Sequence, residues 1–130
     1  MTSGITVEIA PGELIDKITI LEIKLARIAD AAKLANVKIE LDILTASRDS
    51  KIVPSVELDG LTGELKATNE ALWQIEDDIR DCERIGDFGG RFIELARAVY
   101  NINDNRALFK RQINDLLGSS LVEEKSYAAY

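Results

Sequence analysis

Aromatic, acidic and basic side chains recur at helical spacing in the second half of the chain. Trp73 is the only tryptophan, and Asp77 and Arg80 follow it at four and seven residues, on the same side of a helix. A flat apolar ring with a polar rim suits a sugar- or nucleotide-sized ligand. The predicted ligand surface comprises Trp73, Asp77, Arg80, Arg97, Tyr100 and Asp104. The competing interpretation is that these aromatic rings only cover the margin of the core while their polar tips reach water.

Three cations near the N-terminus form a second candidate, an anion site. Lys17, Lys24 and Arg27 are spaced to share one side of a helix. That side would attract an anionic ligand. The alternative is an ordinary solvated helix face on which Glu13 pairs with Lys17.

Arg106 occupies an apolar seam position between Ile102 and Phe109. A cation at such a position must be paired or reach water, because an unpaired buried charge costs several kcal/mol. We expect its partner to be an Asp or Glu of the preceding helix. The pair would mark either an internal polar site or an ion pair that fixes the register of the helices.

The residue inventory excludes several kinds of chemistry. The chain has no histidine and a single cysteine, Cys82, so Ser-His and Cys-His catalysis and a Cys-based zinc site are ruled out. Glu76, Asp77 and Asp78 are adjacent in sequence, and neighbouring helical residues point about 100° apart. We therefore predict no catalytic residue, no metal site and no cofactor, and we expect the protein in a reducing cytoplasm.

The charge of −7 and the pI of about 4.6 argue against nucleic acid or an anionic membrane as a partner. The N-terminal residues lack the features of a signal peptide, and no apolar run approaches the roughly 20 residues of a membrane span. We expect neither secretion nor membrane insertion.

These side chains must be positioned by helices, because hydrophobic residues recur mainly at intervals of three and four. The exception is the N-terminus, where Ile5, Val7 and Ile9 alternate with polar residues and predict a short strand. Glycines and prolines, together with changes in periodicity, set the boundaries. The predicted elements are a strand at 4–9, helices at 11–29, 33–46, 56–85 and 88–117, and a tail at 119–130.

These elements predict a mainly all-α fold, either an antiparallel helical bundle or a long helical hairpin with a short N-terminal β-strand. The length of 130 residues suits one domain covering 1–130. Gly86 and Asp87 form the predicted corner between the two longest helices, with Asp87 as the cap of the second. Long amphipathic helices often complete their seam with a second copy, so we expect a homodimer.

Several strings spread along the chain resemble a bacterial family of small helical proteins of unknown function. They are Pro11 to Lys24 (PGELIDKITILEIK), Leu72 to Asp77 (LWQIED), Phe92 to Arg97 (FIELAR) and Glu123 to Tyr127 (EEKSY). The resemblance supplies no catalytic residues. It implies an accessory role in saccharide or surface-polysaccharide assembly.

A fainter resemblance is to the all-helical chorismate mutases, through Ile15-Asp16-Lys17-Ile18. Thr19 stands where that family has a second Asp, and Pro11-Gly12 replaces an expected Leu-Arg. The resemblance implies an enzyme that binds a dianion through Lys17, Lys24, Arg27, Arg80 and Arg97.

Three functions follow from these observations. The first is a non-catalytic binding or adaptor protein that takes a protein partner or a sugar-nucleotide-like ligand near Trp73. The second is a small chorismate-mutase-like enzyme, and the third is a structural coiled-coil dimerisation unit.

Overall fold

The computed structural model describes residues 3–130, which form four helices and no strand. The helices are α1 (Pro11–Arg27), α2 (Ala31–Lys51), α3 (Val56–Ile85) and α4 (Gly90–Leu116). The all-helical class expected from the periodicity is confirmed. None of the helices in this part of the chain is long and apolar enough to cross a membrane.

The strand predicted at 4–9 is not formed, and this corrects the sequence interpretation. The side chain of Ile5 is 83% exposed, and Val7 is exposed as well. Alternating apolar residues stabilise a strand only when a neighbouring strand accepts the backbone hydrogen bonds and one face is buried. Residues 52–55 connect α2 to α3 and do not pair with this segment.

Helix α1 is the central element of the bundle, because it packs against all three other helices. Its buried side chains include Ile15 and Ile18. Ile15 meets Leu58 and Leu65 of α3 and Ile113 of α4 in one apolar cluster. One helix therefore holds both halves of the α3–α4 hairpin, which places polar side chains of α1 directly against them.

Identifiable caps set both ends of α3, and a short turn connects it to α4. The Ser55 hydroxyl accepts the backbone N–H of Leu58 at 3.1 Å at the start of α3. Gly86 ends that helix in the left-handed region, at φ 72°, which glycine adopts without strain. Helix α4 then begins at Gly90, two residues later than predicted. Asp87 accepts the N–H of Gly89 within the turn and does not cap the helix as expected.

Helix α2 packs on α1 and on no other helix among the described residues. The Asp30 carboxylate accepts the N–H of Lys33 at 2.9 Å and starts the helix at Ala31, two residues before the predicted position. The helix continues to Lys51, because the polar residues after Ala46 carry no breaker before Pro54. Val37 is its one buried residue.

Candidate functional site

The centre of the candidate site is an ion pair between α1 and α4. Arg106 donates from Nε to Oδ1 of Asp16 at 2.9 Å and from Nη2 to Oδ2 at 2.5 Å. Asn69 of α3 donates its amide to Oδ1 of Asp16 at 2.9 Å and contacts Oγ1 of Thr19 at 3.0 Å. Three helices therefore meet at one carboxylate that is only 1% exposed.

These contacts keep Asp16 ionised. Burial raises the pKa of Asp16, but hydrogen bonds from Arg106 and Asn69 and nearby positive charge outweigh it, so the pKa lies below its ordinary value. The same hydrogen bond raises the pKa of Arg106. The pairing corrects one expectation, because the partner of Arg106 lies on α1 and not on α3. The sequence pattern placed Arg106 on the seam, but periodicity within one helix gives no information on which helix supplies its partner.

A second cation, Lys110, connects α4 to the first turn of α1 and to the C-terminal tail. Its ammonium lies 2.7 Å from Oε2 of Glu13 on α1 and 2.8 Å from Oε2 of Glu123 in the tail. Burial lowers the pKa of Lys110, while hydrogen bonds to Glu123 and Glu13 raise it above its ordinary value overall. Lys110 is buried, and the carboxylates of Glu13 and Glu123 compensate its charge.

A hydrogen bond joins the first turn of α1 to α4. Ala10 at the N-cap position has no side chain that could accept a hydrogen bond, and the Oδ1 of Asn114 accepts the N–H of Gly12 at 2.7 Å instead. A Cβ at position 12 would overlap the carbonyl oxygen of Lys110 and lie 2.8 Å from Oδ1 of Asn114. Glycine is required here by the close approach of the two helices.

The C-terminal tail folds back along α4 and is held at Asp104. The two oxygens of Asp104 accept Nζ of Lys125 at 2.8 Å and the hydroxyl of Tyr130 at 2.6 Å. The Tyr130 ring lies 4.8 Å from that of Tyr100. These hydrogen bonds lower the pKa of Asp104, and the bond to Asp104 raises the pKa of Tyr130.

Two open cavities lie on either side of Arg106. The larger one, about 1330 Å³, lies between α4 and the tail. Its walls include Tyr100, Asp104, Lys110 and residues 123–130. The smaller one, about 470 Å³, lies between α1, α3 and α4. Its lining residues are Ile20, Ile23, Asn69, Leu72, Trp73, Glu76, Asp77, Arg80, Val99, Asn103 and Arg106.

The residues of the predicted ligand surface are divided between these cavities. Trp73, Asp77 and Arg80 line the smaller cavity, whereas Tyr100 and Asp104 line the larger one. Arg97 is exposed and lines neither.

The alternative anion site lies apart from both cavities. Lys17 pairs with Glu13 at 3.6 Å, as the solvated-face interpretation expects, and neither Lys24 nor Arg27 lines either cavity. Within residues 3–130 no group of three or more acidic or cysteine side chains is placed to hold a metal ion.

The sequence interpretation missed Asp16 and Lys110 as parts of this site. Asp16 and Asn69 follow the apolar stripes of α1 and α3, where a polar residue between buried neighbours is the available signal. The tail gave no periodic signal at all. Its position follows from individual contacts with α4, which the local pattern cannot reveal.

Comparison with protein-family models places the chain in a family of unknown function. A family model described as a family of unknown function, DUF6165, matches residues 5–130. No curated protein and no solved structure matches the chain. The expected membership of an uncharacterised family is confirmed, while the bacterial assignment and the likeness to chorismate mutases stay predictions. The chain belongs to DUF6165, a family of unknown function.

Proposed function

We propose that this protein is a non-catalytic helical binding protein whose ligand occupies the smaller cavity beside Trp73. The supporting observation is that Trp73, Asp77 and Arg80 of α3 meet Asn103 and Arg106 of α4 around one space of about 470 Å³. Ligand sites in proteins commonly measure about 300 to 1,000 Å³ and combine apolar walls with a few polar groups.

The state of Asp16 argues against a catalytic role for this carboxylate. A general base needs a free lone pair and a pKa near the working pH, and a nucleophile needs a lone pair that can reach the substrate. Asp16 has a lowered pKa, and its oxygens are occupied by Arg106 and Asn69. The buried carboxylate therefore orients Arg106 at the edge of the cavity and takes no part in chemistry.

The lining groups favour a saccharide or sugar nucleotide as the ligand. The indole of Trp73 offers a flat apolar face of the kind on which the C–H side of a sugar ring packs. Asp77 and Asn103 offer an acceptor carboxylate and an amide for hydroxyl groups. The side chain of Arg80 is 79% exposed and, among the described residues, pairs with Glu76 alone, at 3.3 Å, so it can turn toward a phosphate.

Such a protein would serve as an accessory or adaptor in saccharide or surface-polysaccharide assembly in a bacterial cytoplasm. The family strings carry that part of the proposal, together with a residue inventory that suits a reducing compartment. The chorismate-mutase-like alternative receives no support from the geometry, because Lys17, Lys24, Arg27 and Arg97 line neither cavity. The dimerisation-unit alternative requires no ligand, and it predicts that no sugar derivative binds to the protein.

Fluorescence of Trp73 tests the proposal, because the only tryptophan of the chain lies in the proposed site. Purified protein is titrated with sugar nucleotides, sugar phosphates and chorismate, and thermal unfolding is followed in parallel. A ligand that binds only the native state raises the melting temperature. We expect saturable quenching and a raised melting temperature with a sugar nucleotide.

Matched variants locate the binding. Asn103→Ala and Arg80→Ala should weaken the ligand by about tenfold each, the usual effect of losing one hydrogen bond to a charged or polar group. Arg97→Ala is the control, since it removes an exposed arginine outside both cavities. Equal binding by all three variants would refute the site. Absence of quenching by every sugar derivative would refute the ligand class, and turnover of chorismate would favour the enzyme.

A further inference from the structure

Helix α2 carries two apolar stripes on opposite sides. Leu34, Val37, Leu41 and Leu44 face α1, where Val37 is buried and the leucines are half-buried. The second stripe faces solvent, and its members are Ala32, Ala35, Ile39, Ile43 and Ala46. Ile39 and Ile43 are each 61% exposed. A helix that is apolar on both sides is normally covered on both sides.

We propose that the solvent-facing stripe of α2 is the interface with a second copy of this chain, formed by two antiparallel α2 helices around a two-fold axis that passes between Ile39 and Ile43. In that arrangement the two isoleucines of one copy pack between those of the other. The alanines at the ends of the stripe allow the helix axes to approach closely. The interface is isologous, so the same stripe serves both copies.

The amount of exposed surface supports a missing partner. The chain exposes 8909 Å². A compact monomer of 14.4 kDa exposes about 6,800 Å². The excess of about 2,000 Å² is distributed over the whole chain, including residues 3–9 and 119–130 outside the helices, and the α2 stripe contributes part of it. The stripe is open to a second copy without any rearrangement of the helices.

The charges on α2 are compatible with contact between identical copies. The whole chain carries −7, which opposes self-association at a random face. Helix α2 carries four cations against three carboxylates: Lys33, Lys38, Arg48 and Lys51 against Glu40, Asp42 and Asp49. The helix as a whole is therefore nearly neutral.

Two exposed side chains set the antiparallel direction. Lys38 and Asp42 lie on the same margin of the stripe, one turn apart. The two-fold axis places Lys38 of each copy next to Asp42 of the other, so the interface contains two such pairs. Flanking charges of this kind select orientation more than they add affinity.

The mass of the protein in solution tests this interface. Light scattering during gel filtration of the full chain should give twice 14.4 kDa at micromolar concentration. Replacing one isoleucine by a carboxylate, Ile39→Glu, should weaken the dimer by about 30-fold, because central apolar anchors dominate interfaces. The control Val53→Glu changes a residue that is 80% exposed outside α2, and it should leave the mass unchanged. Helical circular dichroism verifies that each variant is folded.

Charge reversal tests the direction of the pairing. Lys38→Asp and Asp42→Lys should each weaken the dimer, and the double variant should recover it. If Lys38 paired only with Asp42 of its own helix, these substitutions would leave the mass of the protein in solution unchanged. A wild-type protein that is monomeric at high concentration would overturn the proposal. A dimer unaffected by Ile39→Glu would overturn it too, by showing that another face associates.

Discussion

Arg106 and Asp16 are 90 residues apart in sequence, and their side chains form a two-point hydrogen-bonded ion pair at the junction of three helices. Asn69 completes the set, so each oxygen of the carboxylate is used. No buried side-chain nitrogen or oxygen in residues 3–130 lacks a hydrogen-bond partner. This completeness makes the pair sensitive to single changes, since removal of one member leaves another buried and unpaired.

Arg106→Leu should lower the free energy of unfolding by about 3 kcal/mol, because it leaves the carboxylate of Asp16 buried without its cation. Arg84→Leu is the matched control, since Arg84 on α3 is largely exposed and pairs only with Asp81. The control should change the free energy of unfolding by less than about 0.5 kcal/mol. Urea denaturation followed by circular dichroism measures both. Similar values for the two variants would contradict the structural role of Arg106.

Acid should remove the contribution of Asp16. Because the pKa of Asp16 is lowered in the folded state, its contribution is fully present above the ordinary value of 3.8 and is lost as pH falls through the folded pKa. Asp16→Asn should therefore be less stable than the wild type near neutrality. The difference in the free energy of unfolding should shrink as the pH drops below the ordinary pKa. Parallel denaturation curves across the acid range measure it, and a difference that does not change with pH would refute the assignment.

Gly12→Ala should destabilise the protein by about 1 to 3 kcal/mol, because the added Cβ collides with the carbonyl of Lys110 and crowds Asn114. Gly60→Ala and Gly63→Ala are controls within α3, where a Cβ meets nothing within 4 Å. These two should stabilise by about 0.5 to 1 kcal/mol, as alanine favours the helix. Thermal unfolding distinguishes the opposite signs. Stabilisation by Gly12→Ala would show that α1 does not approach α4 so closely.

Alkali should release Tyr130 from Asp104. The pKa of Tyr130 is raised by its bond to that carboxylate, so the contact is present below the ordinary value of 10.0 and is lost as pH rises through the folded pKa. Tyrosinate absorbance of the wild type, with Tyr130→Phe subtracted, reports this one ring. Asp104→Asn should return the titration toward its ordinary range. Asp115→Asn is the control, as Asp115 lies near Arg111 and away from the tyrosine.

Local sequence patterns predicted the elements that depend on local contacts. The periodicity of α3 and the Gly86 stop predicted a helix at 56–85, and the structure has Val56–Ile85. The alternation of Ile5 and Val7 failed as a predictor, because a strand also requires a partner, which the chain does not provide among residues 3–130. The start of α2 moved to Ala31 because the carboxylate of Asp30 accepts the N–H of Lys33.

The candidate site was only half predictable. Trp73, Asp77 and Arg80 were predicted to share a side because helical spacing alone determines that. The contacts of Asp16 with Arg106, and of Lys110 with Glu13, join elements far apart in sequence. Such contacts depend on how the helices are arranged in space, and no pattern within a single helix encodes that arrangement.

The junction also has a consequence for the order of folding. Gly12 is hydrogen-bonded to Asn114, which lies 102 residues further along the chain. Asp16 is hydrogen-bonded to Arg106, which lies 90 residues further along. At synthesis rates of about 5 to 20 residues per second, Arg106 emerges roughly 5 to 20 seconds after Asp16. The α3–α4 hairpin has short loop closure and can form early, whereas the first turn of α1 must wait for α4. We therefore expect docking of α1 to be a late step, so that variants at Gly12 accelerate unfolding more than they slow folding.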